Sequence, residues 1–134
     1  MTLSVSLHAP FDDMRSEIMP VNNSYNIETL IKACRYYINK TGRRISFEYT
    51  LIDGKNDTKP CAAALANLVG GMQSHVNLIP VNEARENMKR STTKNINAFK
   101  SELERRRINV TVRRKLGSDI DASCGQLRAK TMSN

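Results

Sequence analysis

Three segments of this chain alternate polar and apolar residues with a period of two, and stretches with helical spacing separate them. Leu3, Val5 and Leu7 alternate with Ser4, Ser6 and His8, closed by Ala9-Pro10. Ile45, Phe47, Tyr49 and Leu51 alternate with Ser46, Glu48 and Thr50 in a strand from about Arg44 to Leu51, and Asp53-Gly54 turns the chain out of it. A third strand runs from His75 to Val81, and Val110 with Val112 marks a fourth. Between them, Ile27, Leu30, Ile31, Cys34 and Ile38 predict a helix with Asn26 as N-cap and Gly42 past its end. Thr58 to Val69 predicts an Ala-rich helix with Pro60 in its first turn, and Ile96, Phe99 and Leu103 mark another. The order is β-α-β-α-β-α-β with short links, which requires parallel strands and right-handed crossovers. At 134 residues there is room for one domain and one core.

Parallel strands flanked by helices on both sides read as continuous apolar runs. Here one face of each strand is polar instead: Ser4, Ser6 and His8, then Ser46, Glu48 and Thr50, then His75 and Asn77. An open sheet with helices on one side accounts for this. So does a barrel or half-barrel whose lumen holds a polar ligand near the C-terminal strand ends. Recurrence on three strands favours the ligand.

Several classes are excluded early. The longest apolar stretch, Cys61 to Met72, is too short to span a bilayer and carries Asn67. Asp12 and Asp13 come before any signal-peptide core could form. With no Trp and 5% aromatic residues, a base-stacking platform is not expected. Three widely spaced cysteines, 34, 61 and 124, argue against a disulfide framework and fit a reducing, cytoplasmic compartment. They and the two histidines show no metal-ligand spacing. Cys34 sits on an apolar helical stripe and Cys61 opens an Ala-rich helix, so both read as core. Cys124 lies in an irregular segment beside Gly125, with Arg113, Arg114, Lys115 and Arg128 nearby and Asp119 and Asp121 opposing them. A reactive thiolate and a bystander thiol both fit that pattern.

Charge is uneven. The net +8 is almost all in the last third: +1 through Asn82 and +7 from Glu83 onward. Arg105, Arg106 and Arg107, with Arg113, Arg114 and Lys115, bracket the fourth strand. Such runs are either solvated helix ends or a footprint for phosphate backbone, and composition alone does not separate the two.

Six motifs then occur in order: Ser6-Leu7-His8-Ala9-Pro10, Thr41-Gly42-Arg43-Arg44, Phe47-Glu48-Tyr49, Leu51-Ile52-Asp53-Gly54, Asn77-Leu78-Ile79-Pro80, and the run from Asp119 through Cys124 to Leu127. Together they resemble the C-terminal part of the radical-SAM adenine-C2 methyltransferases of 23S rRNA and tRNA, the RlmN type. The resemblance covers Leu3 to about Lys130. It implies an α/β fold: the C-terminal half of a partial (β/α) barrel, with about four mainly parallel strands, helices outside, and residues 117–134 as a loop or tail. It implies S-adenosylmethionine contacted by Ser6, Leu7, His8 and Asn77, Leu7 through its backbone because its side chain is on the apolar face. It implies that Cys124 carries a methyl group as S-methylcysteine. A radical generated at a 4Fe-4S cluster activates that methyl toward adenine carbon 2, and an electron donor serves the cluster. Asn77 follows the carbon-2 type; relatives acting on carbon 8 have Asp there.

The cluster motif CxxxCxxC, the glycine-rich cofactor motif and the resolving cysteine do not occur in this chain, and the resemblance puts them upstream of Met1. Ser123 replaces the usual alanine, and Glu83 to Arg90 lacks the Pro/Gly loop common in relatives. The reading is therefore part of an RNA methyltransferase, inactive by itself, binding no cluster and self-associating through an open sheet edge. The alternatives are a stand-alone basic module that binds RNA or a partner without catalysis, and a flavodoxin-like domain with no retained function.

Overall fold

The computed structural model describes residues 3–19, 24–81 and 89–113. Cys124, Arg114, Lys115, the 117–134 tail and all but the end of the 83–90 stretch lie outside them. The elements are β1 (Leu3–Ser6), α1 (Asp12–Ile18), α2 (Ile27–Thr41), β2 (Ile45–Leu51), α3 (Lys59–Val69), β3 (Ser74–Pro80), α4 (Thr93–Arg105) and β4 (Val110–Val112). The strands form one parallel sheet in the order β1-β2-β3-β4. A doubly wound sheet reverses its strand order to place helices on both faces. This sheet does not reverse.

Helices α2, α3 and α4 pack on a single face. Ile27, Ile31 and Cys34 of α2, Leu65 and Val69 of α3, and Phe99 and Leu103 of α4 share a core with Phe47, Tyr49, Val76 and Leu78 of the sheet. Burial along β2 and β3 alternates strictly, with the odd-numbered residues of β2 and the even-numbered ones of β3 inside. Each fully buried Phe, Leu or Ile contributes about 1.5–3 kcal/mol, so the apolar row alone fixes which face meets the helices. Tyr49 and Phe99 stack at 5.3 Å between ring centroids.

The helix ends follow local chemistry. The Asn26 side chain accepts from Thr29 N–H at 2.9 Å, and Gly42 closes α2 at φ 68°, a left-handed turn that costs glycine little. Thr92 caps α4 by accepting from Asn95 N–H at 3.1 Å. Pro60 stands in the first turn of α3.

Two expectations need correction. The link between the first strand and first helix contains a helix of its own, α1, and the first strand ends at Ser6 rather than at His8. Seven residues are too few for independent helical stability. α1 persists because tertiary bonds hold it: Asp12 Oδ1 accepts from Ile27 N–H at 2.9 Å, and Arg15, 4% exposed, reaches back to β1. Past Ser6, Leu7 N–H and His8 N–H still donate to Glu48 O, at 2.9 and 3.3 Å, before His8 turns the chain at φ 61°. No helix among the described residues is long and apolar enough to cross a membrane.

Candidate functional site

The face without helices carries the polar residues. Pairing register puts Ser6, Glu48, Asn77 and Thr111 in one row across all four strands, and Ser4, Ser46 and His75 in the row before it. Three of the four residues read as ligand contacts are at or near this row: Ser6, Asn77 and, two residues past Ser6, His8. The row crosses the last residue of β1 and the middle of β2, β3 and β4, and His8 lies beyond the C-terminal end of β1, the end at which parallel α/β sheets bind ligands.

Bonds within the face orient it. Thr111 Oγ1 donates to Asn77 Oδ1 at 3.3 Å and lies 2.8 Å from His75 Nε2. Burial and the nearby Arg44 charge both lower the His75 pKa. Glu48 Oε2 is 3.1 Å from the Arg113 guanidinium, which reaches across β3 to meet it.

Leu7 behaves differently. Its side chain is fully buried in the core, as its apolar position requires. Its backbone is also engaged within the fold: the N–H donates to Glu48 O, and the carbonyl accepts from Ala9 N–H at 2.8 Å and Arg15 Nε at 3.0 Å.

The end of β1 is held by two residues that sequence reasoning did not single out. Arg15 donates to Leu7 O, to Ser6 O at 3.1 Å and to Tyr25 O at 3.3 Å. Burial lowers its pKa while the Asp12 carboxylate raises it. Asn56, fully buried, donates from Nδ2 to His8 O at 2.8 Å and Thr50 O at 2.6 Å, and accepts from Ile52 N–H at 2.8 Å. Its own carbonyl accepts from Tyr49 Oη at 2.7 Å, and burial pushes the Tyr49 phenol far up. Asp57 completes the loop, accepting from Gly54 N–H at 3.0 Å and Ser91 Oγ at 2.7 Å. A turn-forming Asp-Gly pair was the only sequence signal at this loop; nothing local marks Asn56 or Arg15.

His8 is half-buried, and burial together with the Arg15 charge lowers its pKa from 6.5 to about 4. A histidine with a depressed pKa binds fewer protons folded than unfolded. Its contribution to stability is therefore complete above pH 6.5 and lost as pH falls through about 4. Urea unfolding at pH 7 and pH 5 should show wild type losing on the order of 2 kcal/mol more than His8→Asn, since asparagine tolerates the left-handed backbone without titrating. Equal losses in the two proteins would mean that His8 titrates normally. His75 is common to both and cancels.

Of the six basic residues read as an RNA footprint, Arg105, Arg106, Arg107 and Arg113 are among the described residues. Arg105 and Arg106 both bind Glu102, at 2.6 and 2.7 Å, and these two bonds lower the Glu102 pKa to about 2. Arg113 pairs with Glu48 on the open face. Arg107, at φ 65° past the end of α4, lines a groove with Arg44 and His75 at the opposite, N-terminal end of the strands. Cys34 and Cys61 are buried, 3% and 2% exposed, among the helices, and among the described residues no group of His, Cys, Asp and Glu is placed to hold a metal.

No family model matches the chain. Curated proteins and solved structures do. A probable dual-specificity RNA methyltransferase RlmN from Lachnoclostridium phytofermentans is 58% identical over 129 residues, covering 96% of this chain and 36% of that protein. Its namesake from Caldanaerobacter subterraneus is 54% identical over 131 residues, covering 97% and 38%. The chain thus spans a little over a third of the length of these relatives. The crystal structure of a radical SAM methyltransferase from Sphaerobacter thermophilus superposes with a TM-score of 0.87 at 50% identity, over 94% of this chain and 37% of that one. A domain of the pyruvate-formate lyase-activating enzyme from Bacteroides vulgatus shares the fold alone, at 14% identity and a TM-score of 0.68 over 84% of this chain. Sequence and partial-barrel fold agree: over nearly its whole length, this chain corresponds to a part of the RlmN-type radical-SAM methyltransferases.

Proposed function

We propose that the chain is the cofactor-facing and methyl-carrying part of an enzyme that methylates adenine carbon 2 in 23S rRNA and tRNA. The observation that carries the reading is the polar row on the open sheet face, with Ser6 at the end of β1, His8 just beyond it and Asn77 at the middle of β3. Their hydroxyl, imidazole and amide groups suit a nucleoside and an amino-acid tail, the two halves of S-adenosylmethionine. When bound, that cofactor supplies a methyl group and, on reductive cleavage, a carbon radical. Ser6, His8 and Asn77 bind and orient it. Leu7 anchors the stretch between Ser6 and His8, because its side chain is in the core and both its backbone groups already have partners.

Cys124 is the residue we assign as methyl carrier. A thiolate readily attacks the methyl carbon of a sulfonium, forming its S–C bond as the old one breaks and the neutral thioether leaves, and a neighbouring glycine allows close backbone approach. A 4Fe-4S cluster does not fit the described residues: Cys34 and Cys61 lie among the helices on the far side of the sheet. Its ligands, the binding of an electron donor and a cytoplasmic location belong to our reading of the whole enzyme. The outer edge of β1, unpaired among the described residues, is where the remaining barrel strands would continue; without them it invites self-association. A stand-alone basic module is disfavoured because Arg105, Arg106 and Arg113 already have carboxylate partners.

In the full-length enzyme, Asn77→Ala should weaken S-adenosylmethionine binding roughly tenfold, the value of one hydrogen bond near 1.4 kcal/mol. Ser46→Ala, one row toward the strand start, should change it less than twofold, about 0.4 kcal/mol. Equilibrium dialysis with labelled cofactor measures both. Unchanged affinity in Asn77→Ala would remove the polar row from the cofactor site.

A further inference from the structure

We propose that His8 is a fixed hydrogen-bond donor, its Nε2–H offered to whatever occupies the polar face, and that Asn56 is the positioning residue that keeps it so. The argument starts from a bond with only one sense. Thr50 N–H lies 3.0 Å from His8 Nδ1, and a backbone N–H can only donate. Nδ1 must therefore be unprotonated. A neutral imidazole carries one N–H, which is then on Nε2. Protonating Nδ1 would set two N–H groups against each other, an obstacle that acts in the same direction as the burial and Arg15 charge that lower the pKa.

The bond depends on holding two residues that are 42 positions apart in sequence. Asn56 does this with one group: its Nδ2 donates both to His8 O and to Thr50 O, while Oδ1 is bound by Ile52 N–H. Arg15 secures the other side through Ser6 O and Leu7 O. The clamp has strain to hold. His8 sits at φ 61°, a backbone region that non-glycine residues enter at a cost and that often marks ligand sites. Among charged neighbours, Arg15 acts on His8 from α1, and the Glu48 carboxylate on β2 is turned to Arg113.

A donor-only imidazole selects its partner. It suits an oxygen acceptor, such as a ribose hydroxyl or a carboxylate, and rejects an ammonium group at that position. In assigning a ligand to that face, the inference rests on the cofactor reading given above. The tautomer itself does not.

The test uses the 134-residue chain labelled with 15N-histidine and no ligand. Long-range 1H–15N correlation should show His8 with bare Nδ1 and protonated Nε2 throughout pH 8 to pH 5. Asn56→Asp keeps the acceptor for Ile52 N–H but sets an oxygen against two carbonyls. In a folded Asn56→Asp chain the His8 tautomers should mix and its midpoint should rise toward 6.5. If that variant does not fold, Asn56→Ser, which retains a single hydroxyl donor, reads the same two quantities. A protonated Nδ1 in wild type overturns the donor assignment. A folded variant with unchanged tautomer and midpoint overturns the role of Asn56. Either failure leaves the Asn77 affinity test standing, and failure of that test leaves the tautomer result untouched.

Discussion

Replacing Cys124 by alanine in the full-length enzyme is expected to abolish methyl transfer to RNA while leaving S-adenosylmethionine binding intact. The assigned role asks one atom to be a nucleophile toward a methyl group and later a leaving group. No other side chain from Gly117 to Leu127 combines those properties: serine hydroxyls are poor at both near neutral pH, and aspartates make labile esters. The control is internal. Cys34 is buried in the core, and burial raises its thiol pKa, so it is a poor nucleophile. Cys34→Ala should cost about 1 kcal/mol of stability and leave turnover unchanged. Mass spectrometry of digested RNA, counting methyl groups on adenine carbon 2, compares the variants. Near-normal methylation by Cys124→Ala would withdraw the carrier assignment, whatever the merit of the polar row.

The second large effect is on stability, and it comes from a residue with no direct part in the chemistry. Arg15→Met should destabilise the fold by about 3–5 kcal/mol, since it strips charge-assisted hydrogen bonds from three carbonyls and leaves Leu7 O with Ala9 N–H as a partner. Methionine keeps the stem and its packing, so the loss reports the guanidinium. An exposed pair gives the scale: Lys32 and Glu28, each 76% exposed at 3.3 Å, should contribute at most about 0.5 kcal/mol. Urea unfolding measures both variants, Arg15→Met and Lys32→Ala. Hydrogen exchange at Leu7 and His8 should quicken in Arg15→Met before the rest of the sheet does, because those residues are the ones it tethers. A loss below about 1 kcal/mol would mean that water replaces the guanidinium at these carbonyls.

The second outcome bears on one short stretch, Ser6 to His8. Ser6 and His8 line the open face, while Leu7 between them is locked into the core from its side chain and both backbone groups. That division follows from strand alternation. The left-handed turn at His8 then carries the chain away from the strand direction.

Local patterns along the chain mark the four strands, three of the four described helices and the face each turns to the core. Period-two alternation marked β2 and β3 almost to the residue, and Asn26, Gly42 and Pro60 marked helix ends, because each signal comes from a residue and neighbours within one turn of chain. The order of elements with short links was enough for a parallel sheet, and the one-sided polarity of its strands for a helix layer on one face only. The tertiary structure alone decided how the site is held. Helix α1 has too few residues to announce itself by periodicity and persists through Arg15 and Asp12. Asn56 looks like any turn residue until its amide is seen joining His8, 48 positions away, to Thr50. Arg105 and Arg106 look like free cations until Glu102, three and four residues earlier on the helix, is seen to bind both. The difference is physical: periodicity records which side of an element meets the core, whereas a polar clamp depends on a few directional bonds between segments whose distance along the chain leaves no pattern to read.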